Sequence, residues 1–554
     1  MLKIDLPPVP LPKEGGDGRS RTGVRSKFAM RVAVIGLFAA LQISFFAPAQ
    51  AAEPAPASTP ISAPELFQKH CAECHGVDRF GLIGPALLPE NLSRLRKTEA
   101  ATVIRDSRPA VQMQPFKDVL KPEEIQALAD YIYTPVPMPQ WGEKEMLASR
   151  VVHYAPGALP DTPQFSADMM NLFIVVEGGD HHVTVLDGDR LEPIYRFPSR
   201  FALHGGPKFS PDGRYVYFAS RDGWISKFDI WNLKVVAEVR AGINTRNAAV
   251  SGDGKYVAVA NYLPHTLVIL DADLNPLKIH TVADQNGTQT SRVSAVYDAS
   301  PRKSFVAALK DVKEAWEISY DPNAPEIAAG LIHDYKYREG AFIPGFLNPR
   351  RSILDDYLDD FFFTQDYKKV MGASREAGKG QVVHLDVRRT IATLDLPGMP
   401  HLGSGITWDW QGRRVMATPD LKEGVVSVID METWKTIKQI KTPGPGFFMR
   451  SHENSRYAWV DSMMSRENKD TLTVIDKQTL EVVAHLKPVP GKTLAHIEFT
   501  KDGKYALASL WEDDGALIVF DAETLKEVKR IPARKPVGKY NVWNKITRSE
   551  GTSH

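Results

Sequence analysis

The stretch Cys71-Ala72-Glu73-Cys74-His75 concentrates more reactive chemistry than any other part of the chain, and its two cysteines are the only ones in 554 residues. Two thiols and an imidazole at this spacing are what covalent attachment of a c-type haem requires. Each thiol adds across a vinyl group of the porphyrin, and His75 reaches the iron from one face. A thioredoxin-like dithiol has no need of the trailing His. A zinc site would need further ligands, and the sequence holds no second Cys pair. Cys71, Cys74 and His75 are therefore the expected anchors of one covalent haem c. Its sixth ligand is expected to be Met113, in the loop Val111-Gln112-Met113-Gln114-Pro115-Phe116, because a soft thioether there raises the reduction potential and suits electron transfer. Met138 or a histidine is the alternative; His70 is expected to point away.

The elements that must hold this motif read as a small all-α cytochrome c domain over residues 61–141. Pro64 to His70 is predicted to lead into the motif as a helix. Glu99 to Ser107 and Pro122 to Tyr133 are further helices. The last carries Ile125, Leu128, Ala129 and Ile132 at helical spacing, with Glu123 and Glu124 in its first turn. Gly84-Pro85 is expected to bring a loop against the proximal His75.

Upstream lies an export signal. Positive charge at Arg25 to Arg31 precedes an apolar run from Val32 to Phe46, short for a membrane span, and Ala49-Gln50-Ala51 supplies small residues for cleavage. Residues 1–51 are read as a signal peptide with an extended n-region, or with a start at Met30, and 52–60 as a flexible leader; an uncleaved anchor is the alternative. Bacterial c-type haem is attached outside the cytoplasm, so motif and signal both predict the periplasm, with no stable membrane span after cleavage. The net charge of +1, from 68 basic and 67 acidic residues without a polybasic block, argues against nucleic acid as a partner.

After a linker over 142–170, residues 171–554 repeat. Apolar runs ending in Asp close at Asp187, Asp229, Asp271, Asp321, Asp386, Asp430, Asp476 and Asp521, at steps of 42, 42, 50, 65, 44, 46 and 45 residues. Hairpin signals such as Asp212-Gly213-Arg214 and Asp502-Gly503-Lys504 recur upstream of them. A period near 45 with about four strands per unit indicates an all-β propeller of eight blades. The long step is expected to be an insertion or disrupted blade around Phe342 to Asp360, with seven blades as the alternative count.

A propeller offers its site at the mouth of the central channel. His204, Arg246, His401, Arg450 and His496 stand just upstream of inner hairpins, at related positions in different blades, and should converge there. Imidazoles and guanidiniums around one cavity suit an iron ligand together with partners for a ligand rich in carboxylates. Gly205, Gly206, Gly403 and Gly405 would let a flat macrocycle approach the backbone. His181 and His182 read as turn residues, and His452 is expected in a turn beside Asn454-Ser455.

A cytochrome c domain joined to an eight-bladed propeller resembles the cytochrome cd1 nitrite reductase family, which binds haem d1 in the propeller mouth. The segment Phe201-Ala202-Leu203-His204 looks like the one carrying the proximal d1 ligand, and Pro397-Gly398-Met399-Pro400-His401 like one carrying a distal His. A second distal His of the nitrite reductases has no counterpart in Val306 to Trp316, which contains no His. Its loss should impair nitrite reduction, which consumes two protons. The chain is more similar to the dihydro-haem d1 dehydrogenases of this family. Phrases such as Pro443-Gly444-Pro445-Gly446-Phe447-Phe448 and Gly538-Lys539-Tyr540-Asn541-Val542-Trp543 also look like NirF, a propeller relative without a haem motif of this kind.

By this resemblance the protein converts a propionate of dihydro-haem d1 to the acrylate of haem d1. Electrons pass to the c haem, and His204 and His401 serve as ligands of the visiting iron. His496 is the first candidate base, Tyr540 the second or an orienting group, and Arg246 and Arg450 contact carboxylates. Tyr540 could equally be an aromatic that closes the propeller. Partners implied are the haem d1 precursor, a NirF-like maturation protein, cytochrome cd1 nitrite reductase and a periplasmic electron acceptor. A nitrite reductase and a non-catalytic haem d1 carrier are the competing readings.

Overall fold

The computed structural model describes residues 62–547 apart from 83, 90, 93–94, 108–112, 138–139, 335–338 and 374–378. The signal peptide, the leader and Met138 lie outside the described residues.

The small domain is helical. Ala63–His70 starts at a capping box in which Glu65 accepts from both the backbone N–H and the hydroxyl of Ser62, at 2.9 and 2.8 Å. Cys71 ends that helix, and the single turn Ala72–His75 follows. Lys97–Asp106 and Pro122–Tyr131 cross behind the motif and bury Ala100, Ile104, Ile125, Leu128 and Ala129 against Leu66, Phe67 and Ala72. The stretch expected as linker contains a helix, Glu143–Ser149, and a short strand, Val151–Val152, that pairs with Lys234–Arg240 on the propeller rim.

The β domain is a propeller of eight blades. Blade 1 is closed by the C-terminal strand Pro536–Asn541, which pairs inside Leu172–Glu177; His182–Asp187 and Glu192–Pro198 complete it. The innermost strands of blades 2 to 8 are Lys208–Phe209, Asn244–Val250, Val293–Ala299, Asp360–Phe363, Ile406–Trp410, Met449–Ser451 and Leu494–Phe499. The Asp-ended runs are third strands, and the repeat has a physical cause. The carboxylate accepts from backbone N–H groups just beyond it: Asp187 from Asp189 and Arg190, Asp430 from Glu432 and Thr433, each at 2.8–3.0 Å. The extra length is not around Phe342 to Asp360, as expected. It is a separate two-stranded hairpin, Ile327–Asp334 with Glu339–Ile343, that among the described residues pairs with no blade strand. Pro349–Ile353 and Asp360–Phe363 are ordinary outer and inner strands of blades 4 and 5, so no blade is lost.

The helical domain packs on blade 3 and its surroundings. Ala86 and Leu88, from the loop after the Cys-His motif, are buried with Ile243 and Leu263, and Phe80 and Trp141 pack against them. The Asn244 side chain donates to the Phe80 carbonyl at 3.4 Å, and Trp141 Nε1 donates to the Arg240 carbonyl at 3.0 Å.

Candidate functional site

His75 is buried, and its Nδ1 lies 2.8 Å from the Pro85 carbonyl. Donation there fixes the tautomer and leaves the Nε2 lone pair for a metal. A Cβ on Gly84 would lie 2.6 Å from Cε1 of His75, so only glycine lets this loop press on the ring. Cys71 and Cys74 are not joined in a disulfide. Burial, then the neighbouring Cys74, pushes the Cys71 thiol up to about 11. Met113 packs half-buried in the same apolar cluster as Cys71, with its carbonyl held by the Ser107 hydroxyl at 2.5 Å. Two unpaired thiols, an oriented imidazole and a thioether beside one apolar core fit a c-type haem.

The second constellation lies at the propeller mouth, around a cavity of about 200 Å³ that His204, Gly206, Phe447, Phe448 and Tyr540 help to line. His204 precedes the first strand of blade 2. Its Nδ1 faces the Arg246 carbonyl of blade 3 at 2.8 Å, and its Nε2 accepts from Arg221 at 2.7 Å. The Arg246 guanidinium also closes on the ring, 2.9 Å from Nδ1 and 3.2 Å from Nε2. His401, before the inner strand of blade 6, sets its Nδ1 2.8 Å from the Phe447 carbonyl and packs on the Phe447 ring with centroids 4.3 Å apart. Its Nε2 lies 3.8 Å from Asp360. His75, His204 and His401 thus share one arrangement: Nδ1 on a backbone carbonyl and Nε2 directed elsewhere.

His496 differs from all three. It sits where a register shift interrupts the inner strand of blade 8, with a left-handed φ of +47°. Such a bulge re-aims a side chain. The ring is fully buried, and neither ring nitrogen has a hydrogen-bond partner among the described residues. It packs edge-on against Phe448 and Tyr540, centroids 4.8 and 5.0 Å away. Burial, with Lys539, Arg450 and Lys545 nearby, holds its pKa well below the ordinary imidazole value. Burial pushes the Tyr540 phenol up and the Arg450 guanidinium down.

Several members were not evident in the sequence. Lys208, on the inner strand of blade 2, donates to the Gly205 carbonyl at 3.0 Å. Burial brings it down to about 8, with Asp360 opposing and Arg246 and Arg450 assisting. Arg221 sits in a turn between strands, and Lys545 in the C-terminal helix Val542–Thr547. A charged residue on an innermost strand was the available signal for Lys208; nothing local marked the other two. Lys208, Arg246, Arg450 and Lys545 are within electrostatic reach of one another here, with Asp360 and Glu498 among them. In the segment without a histidine, Lys310 forms a buried ion pair with Asp359. His181 packs at a tilt against Phe201, His182 sets its Nδ1 2.8 Å from the Asp180 carbonyl, and His452 accepts from the Asn454 N–H at 3.1 Å.

Comparison with known proteins agrees with this division. Residues 167–545 match the cytochrome D1 heme domain family, and residues 60–132 match the family described as cytochrome C oxidase, cbb3-type, subunit III. The chain is 54% identical to the dihydro-heme d1 dehydrogenase of Pseudomonas aeruginosa, covering 88% of this chain and 95% of that protein. It is 27% identical to a nitrite reductase of Stutzerimonas stutzeri, over 92% and 97% of the two chains. The solved structure of dihydro-heme d1 dehydrogenase NirN in complex with DHE superimposes with a TM-score of 0.73 at 54% identity, covering 87% of this chain and 99% of that one.

Proposed function

The chain belongs to the cytochrome D1 heme domain family, and from that membership and the mouth geometry we propose that it is a dihydro-haem d1 dehydrogenase. Its substrate is the carboxylate-rich macrocycle, one propionate of which becomes an acrylate. That change removes two protons and two electrons from adjacent carbons. The observation that carries the reading is His496: a buried imidazole, kept neutral, with neither ring nitrogen hydrogen-bonded among the described residues, against a ring that lines the cavity. Kept in its neutral form, the imidazole has a lone pair with which to take a proton from the substrate carbon. Tyr540, held protonated by burial, orients the side chain. Arg246 and Arg450, with Lys208, supply the positive field for the carboxylates.

His204 and His401 hold their Nδ1 on carbonyls and offer Nε2 to the substrate iron. For His204 this requires the Arg221 and Arg246 guanidiniums to swing off Nε2. Cys71, Cys74, His75 and Met113 would hold the c haem, which when bound supplies a one-electron sink. The buried contact of Ala86 and Leu88 with Ile243 and Leu263 keeps that site against blade 3.

The export signal supports a periplasmic enzyme. Among the described residues no helix is long and apolar enough to cross a membrane. A NirF-like maturation protein is the proposed source of the precursor, and cytochrome cd1 nitrite reductase the proposed recipient of product. The test is to mix the haem-loaded protein with dihydro-haem d1 and a one-electron oxidant and follow the absorption spectrum. Conversion to haem d1 with negligible nitrite turnover is expected. Nitric oxide formation at respiratory rates, or binding without conversion, would overturn the reading.

A further inference from the structure

Asp461 ends the second strand of blade 7, Tyr457–Asp461, and its carboxylate is fully buried. It accepts four backbone N–H groups. Oδ1 takes those of Phe447 at 2.8 Å and Met463 at 3.5 Å, and Oδ2 takes those of Phe448 at 3.2 Å and His496 at 3.3 Å. Two of these donors lead directly to the imidazoles of the mouth. The Phe447 carbonyl receives Nδ1 of His401, and the Phe447 ring packs on the His401 ring. The Phe448 ring packs on His496, whose own amide Asp461 also holds.

The side chain at 461 therefore fixes four backbone amides, and through those of Phe447, Phe448 and His496 the orientation of two rings from different blades. His496 needs such support, because a left-handed backbone at a residue with a side chain persists only where its surroundings over-determine it. Lys539 adds a second restraint by donating to the His496 carbonyl. Burial raises Asp461 to about 7 in spite of the four donors.

We propose that Asp461 is a positioning residue that couples the iron-side imidazole of His401 to the proton-accepting imidazole of His496. The proposal rests on the reading above. Replacing the carboxylate by an amide keeps the shape but turns an NH2 group toward one pair of backbone donors. That pair is left unsatisfied, and one of the two imidazoles shifts.

The test uses the full chain with its c haem, as wild type, D461N, D461A and the H401A background, each titrated with dihydro-haem d1. Expected for D461N are an unchanged c haem spectrum and a KM within about threefold of wild type. The turnover number should fall about a hundredfold, the cost of a misplacement near 1 Å. The absorption and EPR signals of the bound macrocycle should shift, and D461A should be affected more. In the H401A background, D461N should leave the macrocycle signals unmoved, because the ligand it positions is gone. A D461N protein with wild-type turnover and wild-type macrocycle spectrum overturns the proposal, and so does one that loses thermal stability alone.

If the variants fail to fold, amide hydrogen exchange on the wild-type holoprotein decides. The Phe447, Phe448 and His496 amides should exchange at one common rate that slows when the macrocycle binds. Independent rates overturn the coupling. Failure of the wild type to convert dihydro-haem d1 refutes the enzymatic reading instead, and leaves the spectral comparison to judge Asp461.

Discussion

His496 and Tyr540 meet edge to face across the seam where the propeller closes, ring centroids 5.0 Å apart at 67°. His496 is on the inner strand of blade 8, and Tyr540 on the C-terminal strand that completes blade 1. H496Q should lower turnover by about 10²–10⁴-fold, the range for loss of a general base. Y540F keeps the ring against His496 and loses only the hydroxyl, so its turnover should fall less than that of H496Q. Stopped-flow absorption of the dihydro-haem d1 conversion measures both. Equal and small effects would remove His496 as the base.

The same imidazole makes stability depend on pH. Its folded pKa is held below the unfolded value of about 6.5. Below that pH the unfolded chain takes up a proton that the folded ring refuses, so stability falls as pH drops from 6.5 toward the depressed folded value. Above about 6.5 the group contributes nothing in either direction. Asp461, raised to about 7, acts in the opposite sense. The wild-type profile alone therefore mixes the two, and the difference between wild type and H496Q isolates the histidine. Denaturant unfolding between pH 5 and pH 8 should show H496Q losing less stability on acidification.

Gly205 has φ +80°, and a Cβ there would lie 2.4 Å from Cβ of Asn247 and 3.0 Å from the Arg246 carbonyl. That carbonyl is the one that orients His204. G205A should cost on the order of 1–3 kcal/mol in strain and pull the His204 ring out of register with Arg246. Spectral titration should report weaker macrocycle binding with the c haem spectrum intact.

Met113 shares an apolar cluster with Cys71. Axial ligands set haem potentials over roughly 0.8 V, and a thioether sits toward the upper end. Spectroelectrochemistry of M113A should find the c haem potential lowered by at least about 0.1 V within that range. An unchanged potential would assign the sixth position to another residue.

The repeat of Asp-ended strands was legible because the carboxylate acts locally, on N–H groups two or three residues further on. The phase of that repeat placed His204, His401 and His496 in different blades, and the structure brings them to one mouth. Asp461 and Lys545 could not be found in this way. Asp461 has the position of an ordinary strand end, and its importance lies in partners at 447, 448 and 496, which only the closed ring brings together. The hairpin of Ile327–Asp334 and Glu339–Ile343 was misplaced in the sequence for a related reason. Its two strands pair with each other and, among the described residues, with no blade. Tyr540 shows two roles superimposed, since the residue on the closing strand also lines the cavity.

Arg292 joins the two domains in a way that separates charge from shape. It is 2% exposed. Its Nε donates to Asp311 at 2.8 Å, and its guanidinium donates to the Asn91 carbonyl of the helical domain at 3.2 Å. It also lies over the Tyr262 ring, 5.5 Å from the centroid. Removing the cation alone leaves the half-buried Asp311 with the residue-292 backbone N–H as its remaining donor, a loss that approaches but does not reach the roughly 3–5 kcal/mol of a fully buried pair. R292A should therefore be strongly destabilised, and R292A/D311A less so, since the second change removes the stranded charge. R292K keeps the charge but lacks the planar fork that spans Asp311 and Asn91 together, so it should fall between wild type and R292A. Thermal unfolding of the haem-loaded proteins ranks the four. If R292A/D311A is no more stable than R292A, the loss lies in the contact with Asn91 rather than in the unpaired carboxylate.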